Sequence, residues 1–179
     1  MTKNETIAAN YFRTLVESFI AHPKALNVTA REGNDWVTVR ASCDSRDFGR
    51  IVGSGGKTFK LLSMLMELAG KKAGNKFTLQ RLPNTHGERE FIKPTPYKKD
   101  WNSADTKKAE AILGQILEGI LDGDFTITTR GNENQTFFLI NIDDSEPLPI
   151  QHEDLILALS WIMNAIGQNI GREIRVEKA

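Results

Sequence analysis

The sequence predicts an α+β fold made of two similar units in tandem, each a three-stranded sheet covered by helices on one face. Three observations lead there. Apolar residues recur first with a helical and then with a strand period, in the order helix, strand, strand, helix, strand, and that order occurs twice. Residues 83–105, which carry Pro83, Pro94 and Pro96 and show no clear period, separate the two runs. Adding 97 to positions late in the first run lands on like residues in the second: Ser63 on Ser160, Met66 on Met163, Gly70 on Gly167 and Gly74 on Gly171. The expected division is therefore residues 1–82, a linker at 83–105, and residues 106–179.

In the first unit, "ANYFRTLVESFIAHP" puts Tyr11, Phe12, Leu15, Val16 and Phe19 on one helical stripe that Pro23 ends. "LNVTA" and "WVTVRA" alternate apolar and polar residues around the turn "REGND", the pattern of a hairpin. "KTFKLLSMLMELAGKKAG" has Leu61, Leu62, Leu65, Leu68 and Ala69 on one face and closing glycines, so it reads as a helix; "KFTLQRL" then alternates as a third strand. The second unit repeats this with the helix "KKAEAILGQILEGIL", the strands "FTITT" and "FFLINI", the helix "DLILALSWIMNAIGQNIG" and the strand "EIRVEK".

Composition narrows the function classes. A chain of 179 residues, 40% of them apolar, can bury a real core. Its start has no apolar h-region, and no stretch approaches the roughly 18 apolar residues of a membrane helix, so a cytoplasmic protein is expected. Cys43 is the only cysteine, which rules out an internal disulfide. His22, His86 and His152 have no thiol or carboxylate at ligand spacing, so neither a metal nor another cofactor is expected. No nucleophile–base or paired-carboxylate set shows local spacing either, and no catalysis is expected. The net charge is zero but unevenly placed. Residues 1–82 hold 13 Lys/Arg against 7 Asp/Glu, a balance of +6, and residues 106–179 hold 6 against 12, a balance of −6. A polyanion is drawn to the first unit and repelled by the second.

The stretch "RIVGSGGKTFK" (50–60) poses the functional question. Its Gly56-Lys57-Thr58 ending suggests a nucleotide phosphate loop, but the first glycine of that motif would fall on Ile51. "FFLINIDD" imitates a strand that delivers a magnesium-binding aspartate, yet it occupies the place of a hairpin strand in the repeat. The spacing that is present is Gly-x-x-Gly, at Gly53-Ser54-Gly55-Gly56. Ile51-Val52 lies immediately before it and Lys57-Thr58-Phe59 immediately after.

With the short helix "SRDFGRIV" before it and the long helix after it, this constellation resembles a KH domain of the bacterial, type II arrangement, helix-strand-strand-helix-helix-strand (αββααβ). The "HP" after the first helix and the "GRIVG" run are similar to KhpA-like KH proteins over residues 9–82. The resemblance implies tandem KH-like domains, the second degenerate, and a protein that binds single-stranded RNA without catalysis. It implies that Gly53, Ser54, Gly55 and Gly56 hold the sugar-phosphate backbone while Lys57, Arg50 and Lys60 add positive charge. Ile51, Val52 and Val39 would floor a groove for the bases. In the second unit the same offset places "IQHE" (150–153) and Asp154 where the loop would be, with no glycine and two carboxylates. That unit is expected to brace the first or to face a protein, and pairing with another KH protein or a second copy is open. The linker "KPTPYKKDW" interleaves Tyr97 and Trp101 with lysines; the favoured reading is an anchored strap and the other a stacking surface for bases. The alternative function is a protein–protein adaptor built on KH-like scaffolds with little RNA affinity.

Overall fold

A computed structural model describes residues 1–80, 82, 103–131, 135–142 and 151–179. It divides into two units, residues 1–92 and 93–179, each described by itself. The bulk of the expected linker, residues 83–102 with Tyr97 and Trp101, lies outside the described residues.

The first unit runs α1 (Lys3–Glu17), β1 (Asn27–Glu32), β2 (Val37–Ser42), α2 (Ser45–Val52), α3 (Lys57–Lys72) and β3 (Phe77–Leu79). Helix α1 starts earlier than its apolar stripe suggests, because Thr2 and Glu5 form a capping box. The Thr2 hydroxyl accepts the Glu5 N–H at 3.2 Å, and the Thr2 N–H donates to the Glu5 carboxylate at 2.8 Å. It also ends before Pro23. Phe19 and Ile20 both donate to the Val16 carbonyl, and the next N–H groups, of Ala21 and His22, are taken by the side chain of Asp47. A competing acceptor, rather than the proline, stops the helix.

Strands β1 and β2 are antiparallel, with Val28 opposite Ala41 and Ala30 opposite Val39; β3 lies parallel to β2 on its other side. The strand expected at 76–82 is thus shorter, although Gln80 still donates to the Val39 carbonyl. Alternation sends Val28, Ala30, Val37, Val39 and Phe77 inward against α1 and α3, and leaves Thr29, Arg31 and Arg40 on an open polar face. The core centres on Phe12, Leu15, Leu62, Leu65, Met66 and Phe77, all at most 1% exposed.

The second unit runs α4 (Ser103–Glu118), β4 (Phe125–Gly131), β5 (Gln135–Ile142), α5 (His152–Ile170) and β6 (Glu173–Lys178). Helix α4 begins within the segment assigned to the linker. Its sheet has the order β4-β5-β6, antiparallel then parallel, with Leu113, Leu117, Phe138, Ile140, Leu159 and Met163 in its core.

Both long helices hand over to the last strand in the same way. Gly74 (φ 68°) and Gly171 (φ 71°) take the left-handed conformation just past the helix. Asn75 then donates back to the Gly70 carbonyl, and Arg172 to that of Gly167, each at 2.8 Å. The turn brings the strand so close that a Cβ on Gly70 would stand 2.5 Å from the Phe77 nitrogen, while one on Gly167 would overlap the Arg172 carbonyl oxygen. Gly70→Ala and Gly167→Ala are each expected to destabilise their unit by about 2 kcal/mol or more, since the neighbour is backbone and must shift. Urea unfolding with a lowered midpoint and an unchanged m value checks both.

Candidate nucleic-acid interface

The glycine loop is positioned by α2, and α2 is fixed by charged groups at its buried side. Asp44 caps its start, accepting from the Arg46 N–H at 3.0 Å and the Arg46 Nε at 2.9 Å; these bonds hold its carboxyl well below the usual carboxylate range. One turn on, the Asp47 side chain is 0% exposed. Its oxygens accept the N–H groups of Ala21 and His22, both at 2.8 Å, and lie 3.2 Å from His22 Nδ1. Arg50, a further three residues along, donates to the Phe19 carbonyl at 3.0 Å. Both ends of the segment that leaves α1 are therefore tied to one face of α2.

The bend follows at once. Gly53 has φ 74° and ψ 172°, outside the range of ordinary residues, and a Cβ there would run into the Thr58 side chain. Gly55 (φ 61°) and Gly56 (φ 78°) are also left-handed, but the space beside them is open. Ser54 and Gly55 are exposed at the tip. Helix α3 begins here with Gly56 at its N-cap, no side-chain cap and no acidic residue in its first turn. The Gly56 N–H closes back onto the Gly53 carbonyl at 3.2 Å and the Lys57 N–H onto that of Ser54, while the next N–H groups of the turn and the positive end of the helix dipole are left to solvent or an anion.

The residues singled out in the sequence fall into three sets. Gly53 to Gly56 form the loop itself, with Lys57 and Lys60 exposed along the start of α3. Arg50 is turned back onto the end of α1, where it braces the loop. Ile51, at 0% exposure, and Val39, at 1%, are core residues and offer no surface to a base; of the proposed groove floor only Val52 is half-buried. Sequence reasoning missed Asp47 and His22, because a side chain bonded to backbone 25 residues away leaves no periodic trace.

In the second unit, Gln151 caps α5 without a side-chain bond, and Glu153 and Asp154 occupy its first turn. Ile150 lies outside the described residues. The helix mouth that is free of acid in α3 carries two carboxylates in α5, which disfavours phosphate. Among the described residues no group of three or more His, Cys, Asp or Glu gathers to hold a metal ion, and no helix is long and apolar enough to cross a membrane.

With this geometry in view, comparison with protein families is informative for the first unit. Residues 10–80 fit the family model described as "KhpA/KhpB, KH domain". Residues 10–80 are a KH domain. KH domains are non-catalytic modules that bind single-stranded RNA, and the matched span contains α2, the glycine loop and all of α3. No curated protein and no solved structure matches the chain.

Two measurements test the local chemistry of the KH domain. Asp47→Ala strands two inward N–H groups and is expected to cost about 2–4 kcal/mol, read as a lowered urea midpoint. Cys43, just before α2, has its thiol pushed up to about 11 by burial and by the nearby Asp47 and Asp44 carboxylates. Its thiolate fraction near pH 8 is then about a hundredfold below that of an ordinary cysteine. Iodoacetamide should accordingly label the folded protein slowly and the urea-unfolded protein at the normal rate.

Proposed function

We propose that the chain binds single-stranded RNA by seating the sugar-phosphate backbone on the Gly53–Gly56 loop of its KH domain. The observation that carries this reading is the exposed, left-handed glycine bend at the uncapped, acid-free start of α3. A backbone approaches such a bend closely because no Cβ stands in the way, and the amides of the helix mouth face its phosphates. Lys57 and Lys60 add charge from α3, and Arg50 acts through the position of the loop. Bases are received beside Val52. The setting is a cytoplasmic bacterial protein with no cofactor.

The second unit is, on this reading, a KH-like copy that no longer grips a backbone. The supporting correspondence runs through every described element of the first unit except α2 and the loop after it. The buried positions Ala8, Phe12, Leu15 and Val16 of α1, with Phe19 and Ile20 just past its end, recur as Ala109, Leu113, Ile116 and Leu117 of α4, with Ile120 and Leu121 just past its end. The hairpin pairs Val28–Ala41 and Ala30–Val39 recur as Ile127–Ile140 and Thr129–Phe138. The parallel pair Val39–Leu79 recurs as Phe138–Val176, and the glycine handover recurs as described above. The offset falls from 101 in the first helix to 99 in the hairpin and 97 in the last helix and strand. The second loss of two residues thus falls in the segment that holds the glycine loop in the KH domain. Charge agrees with this, since a phosphate repelled by Glu153 and Asp154 has no seat there.

The test is the double substitution Ser54→Asp with Gly55→Asp, which keeps Gly53 and Gly56. Aspartate tolerates the left-handed conformation of position 55, so the fold should persist. RNA affinity should drop about tenfold or more, as two carboxylates now meet the phosphates. For the parent protein, log affinity should fall with log salt at a slope near −0.7 per phosphate neutralised. A folded variant that binds an RNA pool as tightly as the parent overturns the reading.

A further inference from the structure

We infer that the second unit carries a self-association edge, on which a second copy of this chain adds its β6 strand antiparallel to β6 across a two-fold axis at Val176. This inference stands apart from the RNA reading and concerns the opposite end of the chain.

Strand β6 is an edge of its sheet, with β5 on one side and no described strand on the other. The N–H of Ala179 donates inward to Ile140, so by alternation the main-chain groups of Val176 and Ile174 point to the open side. The Val176 carbonyl already receives the Ser160 hydroxyl at 2.8 Å, and its second lone pair remains for a neighbouring strand. Edges of this kind are usually guarded by a short strand, a bulge, a proline or charged side chains, and of these β6 carries only the last, in Glu173, Arg175, Glu177 and Lys178. Here the strand has six residues and its side chains alternate cleanly, Ile174 and Val176 toward the helix and Arg175 and Glu177 toward the open face.

Beside this edge runs an open groove of about 320 Å³ between α5 and β6, with Leu157, Trp161 and Asn164 on its helix side. Leu157 is 53% and Trp161 47% exposed, although both are large apolar residues on a helix that otherwise buries its apolar face. A strand laid along β6 covers this groove.

The charge pattern of the strand selects the occupant. With Val176 opposite its own copy, Arg175 falls opposite Glu177 of the second copy, and Glu177 opposite its Arg175. Two opposite-charge pairs then meet at the closely spaced positions of the ladder. On the helix side Val176 meets Val176, and the Leu157 and Trp161 side chains of both copies close over that contact. Centring the pairing on Arg175 instead places Arg opposite Arg and Glu173 opposite Glu177, which is repulsive throughout. The sequence "EIRVEK" is thus complementary to itself over five strand residues in this register and over only three when centred on Ile174, where Glu173 meets Arg175; two-fold pairing of one patch is the commonest route to a soluble dimer.

The test uses the full chain, freed of nucleic acid, by sedimentation from micromolar to millimolar concentration. The parent should form a dimer. Arg175→Glu alone and Glu177→Arg alone should each be monomeric, because each places two like-charge pairs across the axis. An equimolar mixture of the two variants should dimerise again, since every pair in the mixed species is opposite in sign. A structural defect could not produce that rescue. A parent that stays monomeric throughout, single variants that dimerise as the parent does, or a mixture that stays monomeric each overturns the inference.

Discussion

The buried carboxylate of Asp47 is the constraint from which the binding end of the KH domain follows. A charge at 0% exposure is tolerated only where hydrogen-bond donors surround it, and the Ala21 and His22 N–H groups supply them. Those donors are free because α1 has ended, so the end of α1 and the middle of α2 specify each other. Arg50, three residues further along the same helix face, accepts the complementary task of satisfying the Phe19 carbonyl. Helix α2 therefore has one seating, and the last residue before the bend, Val52, has one position. The glycine loop is flexible in composition but not in placement.

The loop itself trades stability for access. Three of its residues hold positive φ, a conformation that costs a side-chain-bearing residue on the order of 1 kcal/mol or more and glycine almost nothing. Only at Gly53 does packing also forbid a side chain, because Thr58 fills the space. At Gly55 and Gly56 the space is open, so only the left-handed backbone, and not packing, calls for glycine there. This difference within one short motif separates the residue that builds the bend from those that leave room beside it. The uncapped start of α3 completes the arrangement, as a capping side chain or an acidic first turn would occupy the same amides.

Much of this was legible in the sequence, and what was not has a physical reason. Helix α2 has the bounds that the KH resemblance implies for "SRDFGRIV", a segment too short for its periodicity alone to declare it. The hairpins and long helices were read from periodicity to within a few residues. The start of α1 lies ahead of the apolar stripe that announces the helix, at the Thr2–Glu5 capping box, so the stripe alone does not reveal it. Its end was attributed to Pro23, whereas the cause is a carboxylate distant in sequence. For the site, the glycines and lysines declare themselves by type and spacing. The division of the apolar residues between core and surface does not, and so Ile51 and Val39 were placed in a groove when they belong to the interior. Burial depends on what packs from the other elements, which no local pattern contains.

The two units also show which parts of such a skeleton are independent of its ligand. The handover from long helix to last strand repeats down to a hydrogen bond of the same length, although the sequences around it differ in most positions. That joint is set by the close approach of helix and strand, which the inner packing requires whether or not anything binds. The start of the long helix is not shared in this way: glycines precede α3, whereas Glu153 and Asp154 stand in the first turn of α5. What changes with it is the outer edge: β3 in the KH domain pairs over three residues, while β6 runs for six with an apolar groove beside it. The second unit thus presents a longer outer strand with apolar surface beside it and two carboxylates at the mouth of its long helix.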